Sequence, residues 1–325
     1  MSGERTQRPE GRTEADFRKP ELLVSAGSPE EIAALIEAGA DAVHIGDMRF
    51  GMRLAGDIPE ERIADAIRLA HDKGAKAYVV CNGILHNDVL PELPGFLKCI
   101  ADAGADGLVF GDPAVLIARR QAGVDIPLHW STEMTTTNYK TANYWVTKGA
   151  RRVFLARELN MDEVVEMAQK VQAEVQVQVH GMTNIYHSKR TLLSNYWEHQ
   201  GHSPEGEALD AERNLFLIEH ERKEEKFPVY EDRSGTHVMS SDDLCMLESL
   251  HELMEAGIDS FRIEGLLKPL PYNEAVVRAY RKAIDAYAAD PEGYVFQEEW
   301  LDEVRALQHP DRELSFGFFY KEQVY

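Results

Sequence analysis

Cysteine is scarce in this chain, whose 325 residues include only Cys81, Cys99 and Cys245. An odd number of cysteines without CxxC spacing excludes a disulfide framework and is typical of a reducing compartment. Long apolar runs are also missing: no window approaches the ~18 uninterrupted apolar residues of a membrane span. The first apolar stretch is too short and too charged for a signal peptide. We therefore expect a cytoplasmic protein that makes no membrane contact.

Positive charge is in short supply. The chain has 35 lysines and arginines against 56 aspartates and glutamates, which gives a formal net charge of −21. Such a charge repels phosphate backbones at long range, so it excludes a non-specific nucleic-acid binder. A specific RNA substrate would need a local basic patch to overcome this field.

Several catalytic motifs are absent. The chain has no GxGxxG after its first strand, no GxxxxGK[ST], no HExxH and no GxSxG. The sequence therefore gives no motif-based support for a dinucleotide-binding protein, a P-loop NTPase, a zinc protease or a serine hydrolase. Cys81 is the one cysteine at a predicted strand end that could act as a nucleophile, but its apolar context is more typical of an inert core thiol.

A repeated pattern organises the rest of the chain. A helical segment ends at a glycine, and a short apolar run with a polar or glycine end follows; the clearest copies are residues 36–47, 101–112, 147–158 and 254–265. The glycine stands where a helix needs a left-handed C-cap residue. The apolar run is too short for a helix and is typical of a buried parallel strand.

Eight strands are predicted in this way, at Leu22–Ala26, Ala42–Gly46, Ala77–Asn82, Gly107–Gly111, Pro127–Ser131, Arg152–Ala156, Val175–His180 and Ser260–Glu264. Helices are predicted between them, for example at Pro29–Ala38, Ile58–Asp72, Asp162–Gln172 and Asp242–Ala256. Strict alternation of strand and helix indicates a parallel sheet. Eight units without a split point favour a closed α/β barrel of the (β/α)8 TIM-barrel type over a doubly wound sheet.

The predicted organisation has three parts. Residues 1–19 are charged and lack aliphatic core residues, so we expect a disordered lead-in. Residues 20–290 form the barrel, with a long insertion at 181–241, after strand seven, over the C-terminal mouth. Residues 291–325 are expected to form a closing helix and an aromatic tail packed on the barrel.

The candidate site consists of polar residues at strand ends and in the loops that follow them, because a barrel brings such positions to one mouth. The predicted catalytic residues are His180, Glu133, Glu264 and Arg157. The predicted substrate-binding residues are Asn82, His86, Trp130, Asn138, Glu158, Lys189, Arg190 and Lys268. No metal ligands are predicted.

Other readings compete for some of these residues. Glu158 could pair with Arg157, His86 could belong to a turn, and Trp130 could belong to the core. Asp112, before Pro113, could simply cap the next helix. His180 is harder to explain structurally, because a polar ring at a buried strand end needs a partner.

The segment VQVHGMTNIYHSKRTLLSNY (177–196) resembles the signature of peptidase family U32, and residues 111–120, 129–160, 240–268 and 316–325 support the match. The resemblance covers residues 20–325 and is closest to short Firmicute-type members that occur as pairs of paralogues. It implies either a collagenase-like peptidase or a role in hydroxylation. Hydroxylating relatives act in oxygen-independent or prephenate-dependent reactions, on the wobble uridine of tRNA, on 23S ribosomal RNA or in ubiquinone synthesis.

Several members of this family carry a four-iron cluster on four cysteines. Here the two signature cysteine positions are Asn184 and Thr191, and only Cys245 remains where a last ligand could lie. One thiolate cannot hold such a cluster, so none is predicted in this chain.

Three functions remain open. The first is tRNA hydroxylation, in which Arg157, Lys189, Arg190 or Lys268 binds prephenate or a similar dicarboxylate, with this chain acting alone or as the cluster-free subunit beside a paralogue. The second is a peptidase in which His180 and Glu133 or Glu264 place a water or a metal. The third is a non-catalytic partner subunit in a homo- or hetero-oligomer.

Overall fold

Eight parallel strands close into a barrel in the computed structural model, which describes residues 18–131, 136–202 and 209–321. Each strand pairs with the next, and the last pairs with both the first and the seventh. The strands are β1 (Glu21–Ser25), β2 (Ala42–Ile45), β3 (Lys76–Cys81), β4 (Gly107–Phe110), β5 (Leu128–Trp130), β6 (Ala150–Phe154), β7 (Glu174–Gly181) and β13 (Ser260–Glu264). The predicted TIM-barrel-like fold is confirmed.

Helices alternate with these strands: α1 (Pro29–Glu37), α2 (Glu60–Asp72), α3 (Leu93–Asp102), α4 (Pro113–Ala122), α5 (Tyr139–Thr147), α6 (Met161–Lys170), α8 (Leu250–Glu255) and α9 (Leu270–Ala289). Local signals set their ends. Asp112 caps α4 by accepting a hydrogen bond from the Ala114 amide at 2.8 Å. The glycines of the repeat stop the helices, as at Gly104 and Gly257, whose φ angles are 85° and 74°.

The helix predicted at Asp242–Ala256 is wrong in its first half. Asp243–Cys245 form a strand, β12, which pairs antiparallel with the end of β7, and α8 begins only at Leu250. The acidic residues that suggest a helix N-cap are used elsewhere, since the Asp243 carboxylate binds Arg312 and Lys268. Tertiary ion pairs therefore override the local capping signal.

The insertion after β7 contains a small antiparallel sheet. Its strands are β8 (Asn184–Ser188), β9 (Phe216–Ile218), β10 (Lys226–Asp232) and β11 (Gly235–Met239), in the order β8-β11-β10-β9. Helix α7 (Leu192–His199) is anchored to the sheet by the Glu231 carboxylate, which accepts from the Leu193 amide at 2.6 Å. A small apolar cluster joins this sheet to Leu266, in the loop that follows β13. The sheet therefore packs against a loop at the C-terminal end of the barrel.

The last part of the described chain also packs on the barrel. It contains α10 (Asp302–Leu307) and β14 (Leu314–Ser315), which pairs with β12. Leu301, Val304 and Phe319 are buried in the main core. Among the described helices, none is long and apolar enough to cross a bilayer.

A charged network closes the N-terminal end of the barrel. The buried Arg152 guanidinium binds Glu21 at 2.5 Å and Glu174 at 2.7 Å, and the Tyr78 hydroxyl donates to Glu21 at 2.7 Å. Burial by itself raises the pKa of the Glu21 carboxyl. The opposing effect of its partners, chiefly the Arg152 guanidinium, is larger, and the resulting pKa is about 2. The buried charges at this end of the barrel therefore neutralise one another.

Candidate functional site

Two adjoining cavities lie inside the barrel at its C-terminal mouth. Phe154 and Arg262 line both of them. Arg157, Gln176 and Gln178 also line the first, which has a volume of about 20 Å³. The second, of about 10 Å³, is reached by polar groups from four strands or their loops: Ser25, His44, Arg53, Asn82 and Ser131. Each volume holds about one water molecule.

Arginine is the dominant charged residue around these cavities, with Arg53, Arg157 and Arg262 arriving from three different strands or their loops. Arg262 lies in the middle of β13 and forms an ion pair with Glu264, which in turn accepts from the Ser25 hydroxyl at 2.7 Å. Arg53 is 7% exposed and has a φ of 54°, a backbone conformation that costs free energy in a residue with a side chain. A cluster of guanidinium groups favours the binding of a planar oxyanion such as a carboxylate.

His44 supplies a neutral ring beside these arginines. Burial lowers its pKa well below 6.5, and the Arg262 charge lowers it further. The ring stacks on Phe154 with a centroid separation of 5.6 Å. Among the described residues, the buried His44 Nε2 and Ser131 Oγ atoms have no hydrogen-bond partner. Buried polar atoms are normally paired, so these two are available to a bound ligand.

Three predicted residues lie at this mouth. Arg157 lines the first cavity and pairs with Glu158, the Nε–Oε1 distance being 3.7 Å. Asn82 lines the second cavity, and its Oδ1 accepts from the Met52 amide at 3.0 Å. Glu264 binds Arg262. The structure therefore brings Arg157, Asn82 and Glu264 together, with Glu158 beside them.

His180 lies elsewhere. Its Nε2 is 2.9 Å from the Tyr272 hydroxyl of α9, the ring is 1% exposed, and burial lowers its pKa to about 3. The cause is a β-bulge: Gln178 pairs with Arg262, but His180, not Val179, pairs with Ile263. One extra residue reverses the inward and outward faces of a strand. His180 therefore points at the helix layer, away from the cavities.

The remaining predicted residues are spread over the molecule. Lys268 lies over the Tyr272 ring at 4.7 Å and binds Asp243, while Lys189 and Arg190 are exposed on the insertion. Asn138 caps α5 by accepting from the Thr141 amide at 2.9 Å. Glu133 lies outside the described residues.

Two more residues that were predicted to bind substrate, Trp130 and His86, lie in the core and in a turn, respectively. The buried Trp130 stacks on Trp145 at 3.6 Å. His86 is exposed, and its carbonyl accepts from the Val89 amide at 3.2 Å, as in a turn. Neither residue lines the two mouth cavities.

The mouth residues that were missed from the sequence include His44, Arg53, Gln178 and Arg262. A usable signal existed for two of them, since His44 and Arg262 interrupt the apolar strands AVHI and SFRIE. A charged or polar residue inside such a strand must face either a partner or a ligand. Arg53 had no comparable signal, because only its loop conformation carries it to the mouth.

The cysteines do not fit an iron–sulfur cluster. Cys81 is in β3, Cys99 in α3 and Cys245 in β12, and the Cys245 thiol accepts a hydrogen bond from Tyr280 on α9. Burial raises the pKa of the Cys245 thiol. A cubane normally takes four thiolates, so the donor set of this chain is insufficient. Within the described ranges, no three histidine, cysteine or acidic side chains gather as metal ligands.

Comparison with known proteins identifies the family. The model of peptidase family U32 matches residues 27–324. The chain is 47% identical over 310 residues to tRNA hydroxylation protein P2 of Bacillus subtilis, covering 95% of this chain and all of that one. It is 35% identical to tRNA hydroxylation protein P1 of the same organism, covering 95% and 74%. This chain belongs to peptidase family U32, as its signature segment predicts.

More distant similarities carry other names. A protein of Porphyromonas gingivalis named collagenase is 26% identical and covers 82% of this chain and 66% of its own length. The solved structure of the U32 peptidase Mk0906 is 18% identical, with a TM-score of 0.47, and covers 79% of this chain and 96% of its own.

Proposed function

We propose that this protein takes part in hydroxylation of tRNA and binds a dicarboxylate co-substrate, such as prephenate, at the barrel mouth. The observation that carries the proposal is the set of three arginines, Arg53, Arg157 and Arg262, around two adjoining cavities. A dianion in a partly dehydrated pocket requires fixed cations nearby, whatever the distant surface carries. These arginines supply them in a chain whose net charge is −21.

The dicarboxylate enters only when the mouth widens. Cavities of about 20 and about 10 Å³ hold water and no larger molecule. Arg53 and Arg157 belong to loops beyond the strand ends, whereas Arg262 lies inside β13. In this proposal Arg262 is the fixed anchor, and the two loop arginines close over the ligand.

The insertion offers a place for RNA beside this mouth. Lys189, Arg190 and Arg233 are exposed at one end of its sheet. His187, two residues before Lys189, lies close enough to Arg53 that the Arg53 charge contributes to lowering the pKa of its half-buried ring, after burial itself. Basic residues of this kind contact phosphates and position a nucleic acid. A bound anticodon loop would therefore lie near the cavities.

Relatives support the same assignment. Proteins named for tRNA hydroxylation are 47% and 35% identical to this chain, and both come from one organism. Two such relatives in one cell support a paralogous partner subunit. A chain without cluster ligands would then supply the dicarboxylate and RNA sites beside a partner that carries the redox group.

Iron analysis tests the proposal that a partner subunit, and not this chain, carries the redox group. We expect this chain, purified anaerobically without a partner, to be colourless and free of iron and sulfide, because Asn184 and Thr191 stand at the ligand positions. Stoichiometric iron and sulfide would contradict this expectation and would require ligands from outside the signature segment.

A thiol peptidase is not supported. Burial raises the pKa of both the Cys81 and Cys245 thiols, which keeps them protonated at neutral pH. Cys245 also lies on the helix side of β12, next to Tyr280, away from the mouth cavities.

Mass spectrometry of tRNA tests the proposal. A strain lacking this gene should lose 5-hydroxyuridine at the wobble position, and the wild-type gene should restore it. Arg157→Gln should leave the modification at least about tenfold below wild type, because the dianion loses a charged contact worth more than 1.4 kcal/mol. The matched control is Arg151→Gln, which removes an exposed arginine on the outside of the same strand. Full modification in the deletion strain would overturn the proposal.

A further inference from the structure

Two polar atoms border the second mouth cavity without a described partner. The His44 Nε2 and Ser131 Oγ atoms are buried, and neither has a hydrogen-bond partner among the described residues. Each residue is 4% exposed, and both line this cavity of about 10 Å³. Burying a polar group without a partner costs free energy. Two such atoms at one cavity therefore indicate a place for a ligand group.

Strand geometry keeps both side chains inside the barrel. The His44 ring, in β2, stacks on Phe154 and meets the Tyr78 ring edge-on at a centroid separation of 6.1 Å. Ser131 follows His129 by two residues, and the His129 ring also packs against Tyr78, at 4.7 Å. Because alternate residues of a strand face the same side, Ser131 faces the barrel interior as His129 does. Both side chains are therefore directed into the same space.

Another serine of the same cavity provides a contrast. The Ser25 hydroxyl donates to the Glu264 carboxylate at 2.7 Å and accepts from the Gly265 amide at 2.8 Å. Its hydrogen-bonding capacity is used within the protein. Ser131 lines the same cavity, and its hydroxyl makes neither kind of bond within the described part of the chain. The difference separates a structural serine from one that is available to a ligand.

The surroundings favour an uncharged ligand group at this place. Burial lowers the pKa of His44 well below 6.5, and the Arg262 charge lowers it further, so the imidazole is neutral at pH 7. A neutral ring and a hydroxyl offer no charge to a carboxylate, which the nearby guanidinium groups attract instead. The same guanidinium groups, of Arg53 and Arg262, repel an ammonium group.

The size and the bonding pattern of the cavity match a hydroxyl group. A volume of about 10 Å³ takes a single oxygen atom with its hydrogen. A hydroxyl both donates and accepts, so it pairs with the Ser131 hydroxyl and with either tautomer of the His44 ring. A carbonyl oxygen only accepts, so it pairs with one tautomer alone.

We propose that His44 and Ser131 form a hydroxyl subsite, by which the mouth selects dicarboxylates that carry a hydroxyl group over those that lack one. The inference rests on the proposed function, in which Arg53, Arg157 and Arg262 bind the carboxylates. It adds two residues that bind no charge and that decide which dianion is accepted. A ligand without the hydroxyl leaves both polar atoms unpaired, which is a strong basis for rejecting a close analogue.

Matched pairs of dianions test the subsite by isothermal titration calorimetry on the full chain. The probes are malate with succinate and 2-hydroxyglutarate with glutarate, so that two spacings of the carboxylates are covered. The members of a pair have the same charge and differ only in the hydroxyl. In at least one pair, the hydroxylated dianion should have a dissociation constant about tenfold or more lower. One of its enantiomers should bind better than the other, because the arginines and the subsite fix the carboxylates and the hydroxyl at separate points.

Variants separate the hydroxyl from the charges. Ser131→Ala and His44→Phe should each remove most of the preference for the hydroxylated dianion, while the plain dianion binds as it does to wild type. Arg157→Gln should weaken both members of a pair equally and leave the preference intact. Ser131→Ala should keep the wild-type melting temperature, because the Ser131 hydroxyl makes no hydrogen bond to the described residues that the variant would lose.

The outcomes distinguish two kinds of failure. If wild type binds both members of every pair equally, or if the preference survives in both subsite variants, the subsite is overturned and the dicarboxylate site stands. Tighter binding of 2-oxoglutarate than of 2-hydroxyglutarate also overturns the subsite, since the cavity then takes a carbonyl oxygen. If no dianion binds, the proposed dicarboxylate site fails together with the subsite.

Discussion

Two buried arginines inside the same barrel behave differently. Arg152 in β6 lies at the N-terminal end and places its three donor nitrogens on Glu21 and Glu174. Arg262 lies in the middle of β13, and its side chain lines both cavities at the C-terminal mouth. Both interrupt apolar strands, so the sequence alone makes them look alike.

The difference teaches that position along the barrel axis decides what a buried charge does. The N-terminal end carries a network in which two carboxylates neutralise the Arg152 guanidinium. The mouth gathers three arginines around cavities in which His44 and Ser131 atoms lack a described partner. Active sites of such barrels lie at the C-terminal face, and stabilising contacts lie at the other.

The largest expected effect is at the N-terminal end. Arg152→Met should lower the free energy of unfolding by about 3–5 kcal/mol, because it removes the buried cation of Glu21 and leaves that carboxylate only the exposed Lys76 as a partner. Urea denaturation followed by circular dichroism measures this loss. Adding Glu21→Gln to Arg152→Met should recover part of it, since the unpaired charge is then gone. If the single variant is as stable as wild type, the proposed contrast between the two ends is lost.

For each buried histidine ring taken singly, acidification should have the next largest effect. Burial lowers the pKa of His129, beside Arg152, well below 6.5, and the rings of His44 and His180 are shifted in the same direction. The unfolded chain binds protons on these rings below pH 6.5, but the folded chain does not. The free energy of unfolding should therefore fall as pH drops from about 7 to 5, by up to about 1.4 kcal/mol per pH unit for each ring.

Denaturation at several pH values measures this slope. His129→Gln should flatten it, and replacing the exposed His199 should leave it unchanged. A slope that is the same in wild type and in His129→Gln would show that the ring is already solvated or charged in the folded protein.

The smallest effect on stability is expected at the mouth. Arg157→Gln should change the free energy of unfolding by no more than about 1 kcal/mol, because its ion-pair partner Glu158 is partly exposed. The same variant should lose tRNA modification, so stability and function separate at this residue. Equal losses of stability in Arg157→Gln and Arg152→Met would erase the distinction between the two ends.

Much of the barrel could be predicted because its signals are local. A helix, a left-handed glycine and an apolar run recur at 36–47, 101–112, 147–158 and 254–265, and each predicted strand overlaps a strand of the structure. Strand β12 escaped prediction because its acidic residues look like a helix cap. Their actual partners, Lys268 and Arg312, are distant in sequence.

The site was predictable only in part. Arg157, Asn82 and Glu264 follow from the rule that strand ends meet at the mouth. The position of His180 does not, because one residue is bulged out where β7 pairs with β13. The bulge arises from the pairing of β7 with β13, which lies some 80 residues further along the chain. The alternating segment VQVQVH therefore cannot predict it.

The amino-acid sequence by itself determined the strand positions and the family, because periodicity, capping and residue identity are properties of short segments. Tertiary structure alone decided that Arg53, Arg157 and Arg262 share a mouth, that His180 faces α9, and that His44 and Ser131 border one cavity. Each of these depends on strand register and on loops brought together from distant parts of the chain. Such contacts form only when the barrel closes.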